Sequence, residues 1–132
     1  IGAGIHRKDL QCSYGRATLT VWDVEGQGAL SELVDRYMEG SHGALVLFDV
    51  TRPATLDGAR RWAARLRRVA PGSRILVLAH KSDLAFAVDR GSVQCLLRDL
   101  GGALVHTSAR SGDNVETAFE RLVFGEGRPG TV

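Results

Sequence analysis

The stretch Ile75-Leu76-Val77-Leu78-Ala79-His80-Lys81-Ser82-Asp83 begins as an unbroken apolar run and ends in polar and charged residues. A second apolar run, Ala44 to Phe48, ends at Asp49, and a shorter run covers residues 103–107. Runs of this kind suit strands that are buried on both faces, as in a parallel sheet covered by helices. The three runs therefore predict the centre of an α/β sheet.

Segments with helical spacing separate these runs. Apolar residues recur at that spacing in residues 30–38, 56–69, 92–100 and 114–123. Residues 18–24 alternate between apolar and polar and predict a strand, with residues 3–13 as its partner across a turn at Tyr14-Gly15. The resulting order, β-β-α-β-α-β-α-β-α, predicts a doubly wound α/β sheet with helices on both faces.

Length and composition restrict the class of protein. The 132 residues are 44% hydrophobic and 24% charged, which predicts one ordinary globular domain, placed at residues 1–124 with a tail at 125–132. The net charge of +2 gives no reason to expect a nucleic-acid partner. Cys12 and Cys95 are too few for a disulfide framework, so we expect reduced thiols in a cytoplasmic protein.

Polar segments follow the predicted strands in a regular order. In doubly wound sheets ligands bind beyond the carboxyl ends of the strands, so these segments are the candidate site. They are residues 23–27 (Asp-Val-Glu-Gly-Gln), Asp49, residues 80–83 (His-Lys-Ser-Asp) and residues 107–110 (Thr-Ser-Ala-Arg). Each segment alone is weak evidence for a function, whereas the four in this order at consecutive strand ends are far more specific.

In this order the segments resemble those of the small GTPases of the Ras superfamily, most closely the Rab branch. Residues 19–27 look like the Rab strand and the opening of switch II, and residues 37–51 fit the next helix and strand. Residues 75–84 resemble the strand with the Asn-Lys-x-Asp motif, and residues 108–110 resemble the Ser-Ala-Lys motif. The resemblance covers nearly the whole chain and implies a Ras-like, P-loop NTPase-like fold.

The resemblance implies a guanine site at two of these segments. A carboxylate at Asp83 would accept both donors on the edge of guanine, which adenine does not offer. Lys81 would lay its methylene stem over the base while its ammonium stays in water. The backbone N–H of Ala109 would donate to the guanine oxygen, and Ser108 would brace the loop. GTP and GDP are the implied cofactors.

The phosphate side of the site is implied in the same way. Asp23 would hold Mg²⁺, through water, because this ion keeps much of its hydration shell. Gly26 would leave room for its N–H to approach the terminal phosphate. Gln27 would orient the attacking water, a role that the resemblance supplies.

Several positions at the candidate site depart from the family pattern. His80 stands in place of the usual Asn, Arg110 in place of Lys, Glu25 in place of Ala and Gly28 in place of Glu. A neutral imidazole offers one donor and one acceptor, so it cannot brace two loops at once as an amide does. These departures bear on affinity and turnover and leave the fold unchanged.

No Gly-x-x-x-x-Gly-Lys-Ser/Thr motif occurs in the 132 residues. Ile1-Gly2-Ala3-Gly4 looks like the stretch directly behind the switch I threonine. We therefore expect an incomplete domain that lacks the first strand, the P-loop and the first helix and does not bind GTP tightly. In the family that strand lies between those predicted at residues 18–24 and 44–48, so we expect these two strands to remain unpaired.

Two functions are compatible with these residues. The first is a Rab-like switch that binds and hydrolyses GTP in vesicle traffic or signalling, peripheral on intracellular membranes, with effectors, an exchange factor and a GTPase-activating protein as partners. The alternative is a Rab-like pseudo-GTPase that binds partner proteins without turnover. Trp22 and Tyr37 match the aromatic pair that faces effectors in the Rab branch, and Ile5 stands where its third member, Phe, is usual. A plain packing role fits the two aromatic residues equally well.

Two further segments bear on partners. The arginines of residues 60–68 are expected on the solvated side of their helix, not at a nucleic-acid interface. Residues 127–132 contain no cysteine, so we expect no prenylation motif in them and infer no membrane association from this chain.

Overall fold

A computed structural model describes residues 3–12, 15–24, 32–81, 83–100, 103–108, 110, 112 and 115–125. The strands are β1 (Ala3–Cys12), β2 (Gly15–Val24), β3 (Gly43–Asp49), β4 (Arg74–His80) and β5 (Ala103–His106). The helices are α1 (Glu32–Glu39), α2 (Ala54–Val69), α3 (Arg90–Leu100) and α4 (Val115–Phe124). Within the described ranges the elements follow the predicted order, and the predicted bounds are close to the observed ones.

The strands form two sheets. β1 and β2 pair antiparallel, with Ala3 opposite Val24 and Ile5 opposite Trp22. β3, β4 and β5 form a parallel sheet with β4 in the middle. Among the described strands β2 and β3 do not pair with each other, as the sequence predicts.

Helices cover both faces of the parallel sheet, and β4 shows why its sequence is continuously apolar. Ile75, Val77 and Ala79 belong to the core cluster that contains buried residues of α2 and α3. Leu76 and Leu78 belong to a second cluster with Ala118 of α4. Successive strand residues point to opposite faces, so burial on both faces requires an apolar residue at every position. The doubly wound prediction is confirmed.

The helices of the described ranges are short. The longest, α2, has 16 residues, whereas a bilayer-spanning helix needs about 20. No described helix has the length and apolar character to cross a membrane. α3 begins at Arg90 because the Asp89 carboxylate accepts hydrogen bonds from the Ser92 N–H and hydroxyl, as an N-cap residue does. These bonds lower the pKa of Asp89.

The arginines of α2 are less solvated than the sequence suggests. Arg65 Nε donates to Asp35 Oδ1 of α1 at 2.6 Å, and Arg67 Nη2 donates to the Leu100 carbonyl of α3 at 2.8 Å. Arg60 Nη2 donates to another main-chain carbonyl of α3 at 2.9 Å. The prediction of a solvated position is wrong for these three arginines, because a guanidinium on a long stem can reach main-chain and carboxylate acceptors on neighbouring helices.

Candidate functional site

The carboxyl ends of β3, β4 and β5 meet at one edge of the parallel sheet. Asp49 is the register partner of His80, so the end of β3 lies beside the end of β4. The Val50 N–H donates to the His80 carbonyl at 3.1 Å, and the Thr107 N–H donates to the Ala79 carbonyl at 2.9 Å. Main-chain hydrogen bonds therefore hold the ends of β3, β4 and β5 next to each other.

Asp83 is joined to the β5 end by a short hydrogen bond. The Ser108 hydroxyl donates to Asp83 Oδ1 at 2.6 Å, and Ser108 is only 1% exposed. This bond is the main cause of a lowered pKa of Asp83, and the positive charge of Arg110 lowers it further. The Asp83 side chain is therefore ionised at neutral pH, exposed, and able to accept hydrogen bonds from a ligand.

His80 forms a second bridge between the same two strand ends. Its Nδ1 lies 3.1 Å from the hydroxyl oxygen of Thr107, a residue only 1% exposed. The imidazole therefore contacts the segment that follows β5. The asparagine that is usual at this position in the family would contact two loops. The sequence did not indicate Thr107 as the partner, because nothing in the local pattern specifies which residue of another strand end faces His80.

Lys81 has an unusual backbone conformation and a paired ammonium. Its φ is +62°, in the left-handed region that non-glycine residues seldom adopt. Its Nζ lies 2.7 Å from Asp49 Oδ2, and 47% of the side chain is exposed. The parallel register places a carboxylate of β3 within reach of the ammonium, a pairing that the sequence did not predict, and the lysine side chain stays partly exposed.

Asp49 is the site residue to which the sequence assigned no role. Its side chain is only 12% exposed, and its Oδ1 accepts hydrogen bonds from the Thr51 N–H at 2.9 Å and the Thr51 hydroxyl at 2.6 Å. The hydrogen bond from Lys81 is the largest cause of its strongly lowered pKa, followed by those from Thr51. The sequence does show an aspartate directly after a buried apolar run, which could have marked Asp49 as a site residue. It does not show that the partner of this aspartate is Lys81, which lies on a different segment.

Comparison with known proteins identifies the family. The model of the Ras family matches residues 1–125 of this chain. The chain belongs to the Ras family. Its predicted Ras-like fold is thereby confirmed.

Curated relatives of this Ras-family chain carry Rab names. The Ras-related protein Rab2BV of Beta vulgaris is 31% identical over 126 residues, which cover 93% of this chain and 59% of that relative. The Ras-related protein RABA2a of Arabidopsis thaliana is 31% identical, with 93% and 58% covered. The Ras-related protein Rab-26 of Bos taurus is 30% identical, with 92% and 49% covered. The chain thus spans about half to three-fifths of these relatives, and they give no support to the pseudo-GTPase alternative.

For several predicted site residues of the Ras-family pattern, the structure does not describe the side chain. Asp23 lies in β2 opposite Gly4, but the structure describes only its backbone. Outside the described residues lie Glu25, Gly26, Gln27, Gly28 and Ala109. Within the described ranges no group of three or more His, Cys, Asp or Glu side chains is arranged to hold a metal ion. The roles of these residues, including Mg²⁺ binding through Asp23, stay predictions.

The predicted effector-facing residues lie on the β1–β2 hairpin and α1. Ile5 is 61% exposed, and its direct partner across the hairpin, Trp22, is 39% exposed. Directly opposite residues point to the same face of a two-stranded sheet. Ile5 and Trp22 therefore form one exposed apolar pair. Tyr37 lies in α1, where the structure describes its backbone only.

Proposed function

We propose that the edge formed by the ends of β3, β4 and β5 binds the guanine base of GTP or GDP. The observation that carries this proposal is the hydrogen bond from buried Ser108 to Asp83, which fixes an exposed, ionised carboxylate between two strand ends. Membership of the Ras family and the Rab-named relatives support it. We further propose that the whole protein is a small GTPase that acts as a molecular switch in membrane traffic.

The residues at this edge suit the donors and the planar face of guanine. Guanine presents an N–H and an NH₂ side by side, and one carboxylate can accept from both in a charge-assisted, bidentate pair. Adenine has no such pair of donors, so it would leave Asp83 without partners, which is the kind of mismatch that gives strong discrimination. Lys81 would cover the base with its methylene stem, while Arg110 and the backbone of Ala109 would lie near the guanine oxygen.

The rest of the proposed activity is hydrolysis of GTP and release of the switch segments. Mg²⁺, when bound, would neutralise phosphate charge, with Asp23 as its proposed protein partner. Gly26 would approach the terminal phosphate and Gln27 would orient water for attack. Because the phosphate would hold the switch segments, hydrolysis would release them and change the surface offered to partners.

We also propose effectors, an exchange factor and a GTPase-activating protein as partners. The exposed pair Ile5 and Trp22 supports an effector surface on the β1–β2 hairpin, with Tyr37 as its third proposed member. Such partners act on a Rab-like protein that is cytoplasmic and peripheral on intracellular membranes. Apolar residues that stay exposed on a sheet face are suited to contact with another protein.

Ligand-detected NMR titrations with nucleosides test the base site without requiring phosphate contacts. Guanosine, inosine, which lacks the exocyclic amine, and adenosine are compared on the same chain. We expect guanosine to bind about tenfold more tightly than inosine, since one hydrogen bond to an ionised group is lost. Asp83→Asn should abolish this preference, because an amide cannot accept two N–H donors through both of its atoms.

The matched control is Asp89→Asn. Asp89 is also an exposed aspartate bonded to a serine hydroxyl, but it caps α3. This variant should keep the preference for guanosine. Equal binding of guanosine and adenosine by the unmodified chain, or an unchanged preference in Asp83→Asn, would refute the proposed base site.

A further inference from the structure

The ion pair between Asp49 and Lys81 joins β3 to the proposed base site, and the family resemblance gave Asp49 no role. We propose that Asp49 is a positioning residue: its carboxylate holds the Lys81 ammonium so that the methylene stem of the lysine is fixed beside Asp83 as a platform for a purine ring. This inference rests on the proposed function, because it concerns how that base site is built.

Asp49 is itself held rigidly. Its Oδ1 accepts two hydrogen bonds from Thr51, and its backbone N–H donates to the Thr55 hydroxyl at 2.9 Å. The next residue, Val50, bonds the main chain of β4 and also accepts a hydrogen bond from the Ala87 N–H at 2.7 Å. The remaining oxygen, Oδ2, is the one that faces Lys81. Asp49 therefore offers the lysine a fixed anchor.

The ion pair with Asp49 restricts the conformation of the Lys81 side chain. The Lys81 carbonyl accepts a hydrogen bond from the Leu84 N–H at 2.9 Å, so the residue lies in a turn that also contains Asp83. The backbone at one end of the side chain and the ion pair at the other end restrict the stem between them. A free lysine would have to give up much of its rotamer freedom when a base binds, whereas a lysine that is already held loses less.

The Lys81 stem and the Asp83 carboxylate should make separable contributions to nucleoside affinity. A methylene stem contacts the face of any purine, whereas Asp83 recognises only the donors on the guanine edge. Loss of the anchor should therefore weaken guanosine and inosine to the same extent. Loss of the Asp83 carboxylate should remove the difference between the two nucleosides.

The experiment measures both nucleosides on Asp49→Asn by the same NMR titration. The asparagine oxygen can still accept from the Thr51 N–H, but the side chain no longer carries a charge for Lys81. We expect the affinity for guanosine and for inosine to fall by about tenfold each, with their ratio unchanged. Asp57→Asn is the matched control, because it makes the same substitution at an exposed aspartate of α2 and leaves the Asp49 carboxylate facing Lys81. It should bind both nucleosides almost as well as the unmodified chain.

A second readout follows the lysine directly. The chain has two lysines, Lys8 and Lys81, so ¹⁵N-lysine labelling yields two ammonium signals. Lys81 should be as restricted in the unmodified chain as Lys8, which pairs with Glu116 at 2.8 Å. Asp49→Asn should make Lys81 alone mobile.

The outcomes separate the two proposals. If the unmodified chain shows no preference for guanosine, the proposed base site fails and this inference fails with it. If the preference is present but Asp49→Asn binds both nucleosides unchanged, the positioning role alone is wrong. A loss as large in Asp57→Asn as in Asp49→Asn would show that removing any carboxylate, not breaking the pairing with Lys81, explains the effect, and would also overturn the inference.

Discussion

At the residue scale, the two carboxylate oxygens of Asp49 make different contacts. One oxygen closes its own turn through Thr51, and the other binds the Lys81 ammonium. All of these contacts favour the ionised form, so the pKa of Asp49 lies far below its ordinary value of 3.8. Asp49 thereby connects its own turn to the residue that follows β4. Because its pKa is lowered, it also makes the stability of the fold depend on pH.

A carboxylate with a lowered pKa in the folded state predicts a particular loss of stability in acid. The unfolded chain binds a proton near the ordinary value, whereas the folded chain resists it. The contribution of Asp49 is therefore complete above that value and declines as pH falls below about 5 toward the lower folded value. We expect the free energy of unfolding, measured with urea at a series of pH values, to fall less steeply in Asp49→Asn than in the unmodified chain.

Asp57→Asn is the control for this pH series. Asp57 is an exposed residue in the first turn of α2, and among the described residues its side chain has no hydrogen bond or ion pair. Its variant should keep the steepness of the unmodified chain. A slope in Asp49→Asn equal to that of Asp57→Asn would contradict the assignment of acid sensitivity to the Asp49 pairs.

At the element scale, α2 is connected to its neighbours by arginines as well as by its apolar stripe. Leu56, Ala59, Ala63 and Leu66 are buried against the sheet side of the core. Arg67 lies near the end of the helix and donates to the carbonyls of Ser73 at 3.1 Å and Leu100 at 2.8 Å. The last carbonyl groups of a helix lack intrahelical partners, so Arg67 satisfies an acceptor at the end of α3.

Arg67→Met should therefore destabilise the fold although it keeps an apolar stem of similar length. We expect a loss of about 1.5–3 kcal/mol in the free energy of unfolding, the range for hydrogen bonds that involve a charged group. Arg68→Met, at the exposed neighbouring position, should change stability by less than about 0.5 kcal/mol. Equal effects of the two substitutions in a urea denaturation series would show that the contacts of Arg67 do not stabilise α2 and α3.

At the scale of the whole molecule, the two sheets differ in how they are stabilised. The parallel sheet has apolar clusters on both faces, and Val77 of its central strand is completely buried. In the β1–β2 hairpin Leu10 is 2% exposed, whereas most of the side chains described there are exposed or half-buried. The hairpin meets α4 through Lys8, whose Nζ lies 5.0 Å from the centre of the Phe119 ring.

This difference predicts unequal protection from hydrogen exchange. A two-stranded ribbon is only marginally stable without further packing, whereas opening β4 exposes the core on both sides. We expect amides of β1 and β2 to exchange much faster than amides of Ile75 to Ala79 in hydrogen–deuterium exchange followed by NMR. Equal protection of the two sheets would show that the hairpin and the parallel sheet open as one unit.

The element order and the location of the site could be predicted from the sequence because both depend on local patterns. A strand that is buried on both faces must be apolar at every position, so β4 is visible in residues 75–79 alone. Strand ends carry the ligand-binding residues in this class of sheet, so residues 80–83 could be located before their partners were known. The assignment to the Ras family follows from the same segments and is confirmed by comparison.

Only the tertiary structure decided which side chains meet across those strand ends. The pairing of Asp49 with Lys81, of His80 with Thr107 and of Arg67 with α3 depends on strand register and helix packing, which bring together residues remote in the chain. Periodicity indicates which face of an element is buried, but it does not specify which polar group of another element lies within about 3 Å. The sequence by itself therefore determined the layers and the edge that holds the candidate site, whereas the fold determined the partners that set its charge and its rigidity.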